Sequence, residues 1–195
     1  MREGERERRR RFDALFASYS SDIVAYCGWR ADSASDAQDA VAEVFLTAWR
    51  RVDELPRGDA ARVWLFATAR RVIANQRRSS RRRVALYQRL ALDAAVVREP
   101  PSSGGEEALV HEALGRLGPR DREILLLAEW EGLSPSQIAE VMDCLAITAR
   151  GRLHRARRRF RAVFEDLRAR DDGDRPRPDA TEMSTASAWS VQSLP

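Results

Sequence analysis

"SPSQIAEVMDCLAITARGRLHRARRRF", Ser134 to Phe160, is the stretch on which the reading of this 195-residue chain turns. Ser134 followed three residues later by Gln137 makes a capping box, and Pro135 falls on the first helical position, where its missing N–H costs nothing. A short helix is expected there, with Asp143 to Leu145 as a turn and a second helix from Ala146. In the second helix Ala149, Leu153, Ala156, Phe160, Val163 and Leu167 recur at three- and four-residue steps. That spacing is one face of an α-helix, so the stripe packs inward and the arginines between its members turn outward. Two short helices, a tight turn and a basic outer face make a helix-turn-helix. From Ala146 to Phe160 the second helix is about 22 Å long, short enough to lie in a major groove. Its start, near Thr148, Arg150 and Gly151, would face base edges, while Arg155, Arg157 and Arg158 would sit by phosphates. Arg152 and His154 belong to the same polar face.

Charge is distributed in blocks. Net charge is only +4, yet residues 70–83 carry seven arginines and no acid, as do residues 145–161. Between the blocks, residues 106–144 hold nine acids against three arginines. Two basic blocks divided by acidic surface suggest two separate contacts with a polyanion.

The rest of the chain reads as helix, with no strand. Phe12, Leu15, Phe16, Tyr19, Ile23 and Cys27 form the stripe of a helix over residues 12–29. A second helix, Asp36 to Val52, buries Val41, Val44, Phe45, Ala48, Trp49 and Val52 and leaves Asp36, Asp39 and Glu43 on an exposed face. Pro56 and Gly58 punctuate a loop, and a third helix follows from about Ala60 to Arg78. Residues 84–106 end in "REPPSSGGE", whose paired prolines, serines and glycines mark a flexible linker. Beyond it Pro119 suits a first helical position and Gly132 a C-terminal cap. Residues 171–195, with five acids and three prolines and almost no periodicity, read as a disordered tail in which Trp189 stands out.

Several function classes are excluded. No apolar run approaches the roughly 20 residues that span a bilayer, and the charged start "MREGERERRRRF" lacks the apolar segment of a signal peptide, so a cytoplasmic location is expected. Cys27 and Cys144 lie far apart among apolar neighbours and read as buried reduced thiols, with no zinc spacing. No P-loop, HExxH or G-x-S-x-G occurs, and neither His111 nor His154 has a nucleophile or ligand set nearby in sequence. The chain is therefore expected to be neither an enzyme nor the holder of a cofactor or metal.

"DAQDAVAEVFLTAWRRVDEL" followed by "ARVWLFATARRVIANQRRSSRRR" resembles the promoter- and core-binding domain of extracytoplasmic-function sigma factors, small members of the bacterial RNA polymerase sigma-70 family. "LGPRDREILLLAEWEGLSPSQIAEVM" with "TARGRLHRARRRF" resembles the same family's minus-thirty-five-binding domain. The resemblance covers about residues 12–83 and 107–167, in the family's order. It implies an all-α protein of two small domains on a linker: a charged extension over 1–11, a core- and minus-ten-binding domain over 12–83, a linker over 84–106, and a minus-thirty-five domain over 107–170. It also implies that Asp36, Gln38, Asp39 and Glu43 dock on core polymerase, and that the loop from Val52 to Arg62 holds an extruded base of the minus-ten element. Arg62, Arg70, Arg71, Asn75 and Arg78 become candidates for minus-ten contact. Core RNA polymerase and promoter DNA are the implied partners, with an anti-sigma factor as a further candidate. Ala67 and Thr68 supply no aromatic wedge, which fits the small subfamily. The turn departs from the family's Gly, apolar, Ser: here it is Asp143, Cys144, Leu145, and Asp tolerates left-handed backbone whereas Leu does not cap a helix. A stand-alone helix-turn-helix regulator is the alternative from another class, distinguished by whether the chain associates with core polymerase.

Overall fold

The computed structural model of the chain describes residues 3–88 and 105–174, with the side chains of 81–88 and 172–174 left aside. The described residues are all-α, with seven helices and no strand: α1 (Glu3–Arg30), α2 (Ala34–Arg50), α3 (Asp59–Gln88), α4 (Glu106–Arg116), α5 (Pro119–Glu129), α6 (Pro135–Met142) and α7 (Ala146–Asp174). Most of the expected linker and nearly all of the tail, with Trp189, lie outside the described residues.

The helices form two compact units that do not follow chain order. One gathers Met1–Glu99 with Pro119–Ala156, and the other Pro100–Gly118 with Arg157–Pro195. In the first unit α1, α2 and α3 pack on one another, and α6 packs on both α3 and α5. Its core is what periodicity dictates: Ile23, Tyr26 and Cys27 from α1, Ala40, Val44 and Ala48 from α2, and Leu65, Phe66 and Ala69 from α3 have no accessible surface. Ile124, Leu127, Ile138 and Ala149 are equally closed off in the helix-turn-helix part. An aromatic cluster holds α1 to α2, with Phe16 edge-on to Phe45 at 4.7 Å between centroids and Phe12 edge-on to Trp49 at 5.3 Å. Such pairs add about 0.5–1.5 kcal/mol beyond the area they bury.

In the second unit Ala113, Leu114 and Leu117, together with Leu167 of α7, are buried. Phe160 stacks on Phe164 at 5.8 Å, and Arg116 reaches Asp166 at 3.6 Å.

Three helices run further than expected, among them α3, which continues to Gln88 where Arg78 was the expected end. α1 begins at Glu3, because the charged start is itself a good helix: glutamate and arginine have high helix propensity, and Glu3 and Glu5 sit in the first turn, where the helix dipole favours acid. Arg9–Asp13 and Arg10–Glu7 pair along its surface. α7 continues past Phe160 to Asp174, carried by Val163 and Leu167 at the same period, with Asp166 to Arg170 one turn apart at 2.9 Å.

Candidate nucleic-acid interface

The capping box at Ser134 is formed as its sequence requires. Its hydroxyl accepts the Gln137 N–H at 3.4 Å, and Gln137 Oε1 accepts the Ser134 N–H at 2.9 Å. α6 ends at Asp143, which adopts left-handed backbone at φ 52°, ψ 60°, and Cys144 N–H returns to the Ala139 carbonyl at 2.9 Å. Asp thus does at the turn what glycine would do. Gly132 does the same after α5, at φ 63°. α7 starts at Ala146 without a side-chain cap, its first turn closed by Ala149 N–H to the Leu145 carbonyl at 3.0 Å.

From there Ala149, Leu153 and Ala156 are buried, so Arg150, His154 and Arg155 are exposed and Thr148, Gly151 and Arg152 half-buried. A Cβ at Gly151 would make only ordinary contact, 3.4 Å from the exposed Arg155 guanidinium. Arg157 and Arg158, in the second unit, are exposed. The helix carries no carboxylate before Glu165, so its exposed face is strongly positive.

On α3, Arg71, Asn75 and Arg78 are exposed and Arg70 is half-buried, with Arg78 donating to Asn75 Oδ1. Thr68 is buried and its hydroxyl donates to the Trp64 carbonyl at 2.9 Å, so this position points into the fold and not toward a base stack. Arg62 is held within the molecule. It pairs with Asp22 at 2.7 Å, donates to the Glu131 carbonyl at 2.8 Å and lies 5.0 Å over the Phe66 ring.

The loop between α2 and α3 is fixed from a direction the sequence did not suggest. Arg8 reaches the Asp53 carboxylate at 3.0 Å and stacks on Trp49, while Arg11 donates to the carbonyls of Asp53 and Leu55. Both arginines belong to the stretch read as a separate charged extension.

α2 presents Gln38, Asp39 and Glu43 to solvent, but Asp36 is half-buried and engaged. Ser33 caps the helix by accepting the Asp36 N–H at 3.0 Å, and its hydroxyl donates to Asp36 Oδ2 at 2.7 Å. Beside this face lies an apolar groove of about 550 Å³ lined by Phe16, Val24, Ala37, Val41, Ala42 and Phe45. Phe16 and Val24 there are 46% and 54% exposed.

A polar seam joins α1 to α5, and sequence reasoning missed it. Arg30 is 7% exposed. Its Nε donates to Glu123 Oε2 at 2.9 Å, and its Nη1 donates to the Tyr26 carbonyl at 3.2 Å and pairs with Glu131 at 3.5 Å. Its guanidinium carbon sits 3.7 Å from the Tyr26 ring centroid. Tyr26 donates its hydroxyl to Glu123 Oε1 at 2.7 Å, and burial first, then Glu123, pushes that phenol well above its usual range. Burial also raises the Cys27 thiol to about 11, with Arg30 opposing, so Cys27 stays a neutral apolar side chain. The available signal was Arg30 itself, a charge three and four residues beyond the buried Cys27 and Tyr26 on one helical face. Among the described residues no cluster of His, Cys, Asp and Glu could hold a metal ion, and no helix is long and apolar enough to cross a membrane.

Residues 15–83 match the family described as Sigma-70 region 2, and residues 107–160 match Sigma-70, region 4. The RNA polymerase sigma-H factor of Pseudomonas aeruginosa is 31% identical over 176 residues, covering 84% of this chain and 91% of that protein. The ECF RNA polymerase sigma factor BldN of Streptomyces coelicolor is 32% identical over 136 residues, or 67% of this chain, which spans about half (52%) of that longer relative. Among solved structures, the sigma factor RpoE from Bartonella quintana, in complex with the anti-sigma factor NepR, superposes with a TM-score of 0.64 at 21% identity, over 79% of this chain and 96% of that one. At that identity the likeness is one of fold.

Proposed function

We propose, from the premise that this chain belongs to the extracytoplasmic-function subfamily of the sigma-70 family and is a sigma factor, that it brings core RNA polymerase to a subset of promoters through three surfaces of distinct chemistry. Exposed acid on α2, at Asp39 and Glu43 with Gln38 beside them, docks on the polymerase. Asp36 takes part through its place in the cap and not as a free carboxylate. The face of α3 with Arg70, Arg71, Asn75 and Arg78 contacts the minus-ten element, beside the loop that Arg8 and Arg11 hold. Arg62 supports that face from within, through Asp22. Thr148, Arg150, Gly151, Arg152, His154 and Arg155, followed by Arg157 and Arg158, meet the minus-thirty-five element.

The observation that carries this reading is the segregation of exposed charge on one folded chain, acid on α2 and acid-free arginine on the start of α7. Residues 12–83 and 107–170 act as the two promoter-binding domains. The phosphodiester chemistry belongs to the polymerase, so the chain is not itself an enzyme, and it works in the cytoplasm where polymerase and chromosome are. An anti-sigma factor is the candidate antagonist: RpoE, which shares the fold, is seen in complex with one, and the apolar groove between α1 and α2 offers such a partner a surface.

The test is transcription in vitro by core polymerase with and without the protein, with the transcripts sequenced. Starts clustered behind a common pair of elements are expected. Tight, specific operator binding by the chain alone, with no association with core polymerase, overturns the reading in favour of a stand-alone regulator. Within it, reversing both Asp39 and Glu43 to Arg should weaken polymerase binding by about tenfold or more while leaving the melting temperature nearly unchanged, since exposed substitutions stay within about 0.5 kcal/mol. Unchanged affinity in a titration removes α2 from the docking surface.

A further inference from the structure

Leu145 and Ile147 have no part in the contacts above, yet they are the most exposed large hydrophobic side chains among the described residues, at 72% and 69%. The fold gives no reason for them. Ala149, Leu153 and Ala156 supply the buried face of α7. A β-branched isoleucine is a poorer choice for an exposed helical position than the arginines that follow it. Their backbone is nevertheless fixed, because Leu145 immediately precedes the first helical residue and its carbonyl closes the first turn at 3.0 Å. They also stand at one particular place. In a helix-turn-helix the N-terminal residues of the second helix are the ones that meet base edges.

Arg150, Arg152 and Arg155 follow within the next turns, and no acid occurs until Glu165, so the helix drives this apolar tip toward a polyanion. A side chain with no donor or acceptor can meet one apolar group on the major-groove edge of a base pair, the C5-methyl of thymine. We propose that Ile147, with Leu145 beside it, reads a thymine methyl group in the minus-thirty-five element and so contributes to promoter choice. The proposal rests on the sigma-factor reading above.

The experiment uses holoenzyme and a promoter in which each thymine of the minus-thirty-five element, on either strand, is replaced singly by deoxyuridine. That change removes a methyl and leaves every hydrogen bond in place. The expected result is a loss of about fourfold in binding at one position for the unaltered protein, which corresponds to about 0.8 kcal/mol for one buried carbon. That loss should disappear in the Ile147→Ala or Leu145→Ala holoenzyme and persist in Ile147→Val. Exposure of both residues means the variants should keep their melting temperature, which thermal unfolding checks.

If deoxyuridine has no effect at any position while transversions there still reduce transcription, the methyl contact is wrong and the sigma-factor reading stands. If deoxyuridine sensitivity survives both alanine variants, another residue makes the contact and the assignment fails. If Ile147→Ala instead lowers affinity for core polymerase in the absence of promoter, the patch is a protein contact and the proposal is overturned. If neither deoxyuridine nor transversions matter, the assignment of this helix to the minus-thirty-five element falls with it.

Discussion

Arg30, at the end of α1, and Arg150, near the start of α7, occupy opposite environments. The first is 7% exposed, with Glu123 and Glu131 against it and the Tyr26 ring below it, and the second is in solvent on the opening turns of α7. A guanidinium removed from water is tolerated only with carboxylates and acceptors at hydrogen-bond distance, since the desolvation penalty is several kcal/mol per ion. Arg30 meets most of that demand through Glu123, 93 positions away in sequence, and so ties α1 to α5, while its Nη2 has no hydrogen-bond partner among the described residues. Arg62 repeats the pattern with Asp22 and the Glu131 carbonyl. Arg150, Arg155 and Arg158 are exposed and answer to no such demand. Thus an arginine's contribution is decided by which face of its helix it occupies, and a count of arginines says little about which of them touch DNA.

The largest effect that tests this contrast is on stability. Arg30→Ala leaves Glu123 and Glu131 largely buried without their cation, at 18% and 10% exposure, and should cost about 3–5 kcal/mol. Arg150→Ala should shift the same urea midpoint by no more than about 0.5 kcal/mol. Equal midpoints for the two variants would break the comparison at its base.

A smaller effect is on promoter choice, and it separates two exposed arginines from each other. With holoenzyme, Arg150→Ala should cost roughly 1–3 kcal/mol at one position of the minus-thirty-five element and relax preference there, as expected for a base-edge contact. Arg157→Ala should weaken all promoters alike and lessen the slope of log affinity against log salt by about 0.9, one phosphate's share of counterion release. A randomised minus-thirty-five library measured at two salt concentrations reads both, and identical profiles for the two variants would deny the division into reading and anchoring residues.

These fates were legible in part. The capping box at Ser134, the turn at Asp143, the α2 stripe through Val44 and Ala48, and the outward arginines of α7 follow from local rules, because each depends on neighbours within one or two turns. Periodicity also put Phe16 on the buried stripe of α1, but it is 46% exposed. Period tells which residues share a face and not whether another helix covers that face. Arg30, Tyr26 and Glu123 meet across more than ninety residues, beyond the reach of any local rule. Helical phase places Asp36 on an exposed face and the resemblance puts Arg62 among the minus-ten candidates, and the structure engages them in a cap and an ion pair.

The smallest effect is the most discriminating about how well the seam is satisfied. Glu131 lies within reach of Arg30 at 3.5 Å, an arrangement that by itself favours the charged carboxylate. Even so, burial outweighs it and pushes the Glu131 carboxyl above its ordinary 4.5, with Asp22 and Glu123 adding to the rise and Arg30 and Arg62 opposing it. A carboxyl whose native value is raised binds its proton more tightly in the folded chain than in the unfolded one. Stability from this group therefore falls as pH climbs from about 4.5 through the raised native value, and the deficit is complete above it. Glu131→Gln keeps the shape and an acceptor for Arg30 but carries no charge to desolvate. It should be more stable than the unaltered chain at pH 7, by a margin that shrinks as pH is lowered toward 4.5. Urea midpoints at the two pH values measure the difference. A glutamine variant less stable at pH 7 would mean that the attraction of Arg30 and Arg62 exceeds the penalty of burial, so that the seam would hold its second carboxylate by charge as firmly as it holds Glu123.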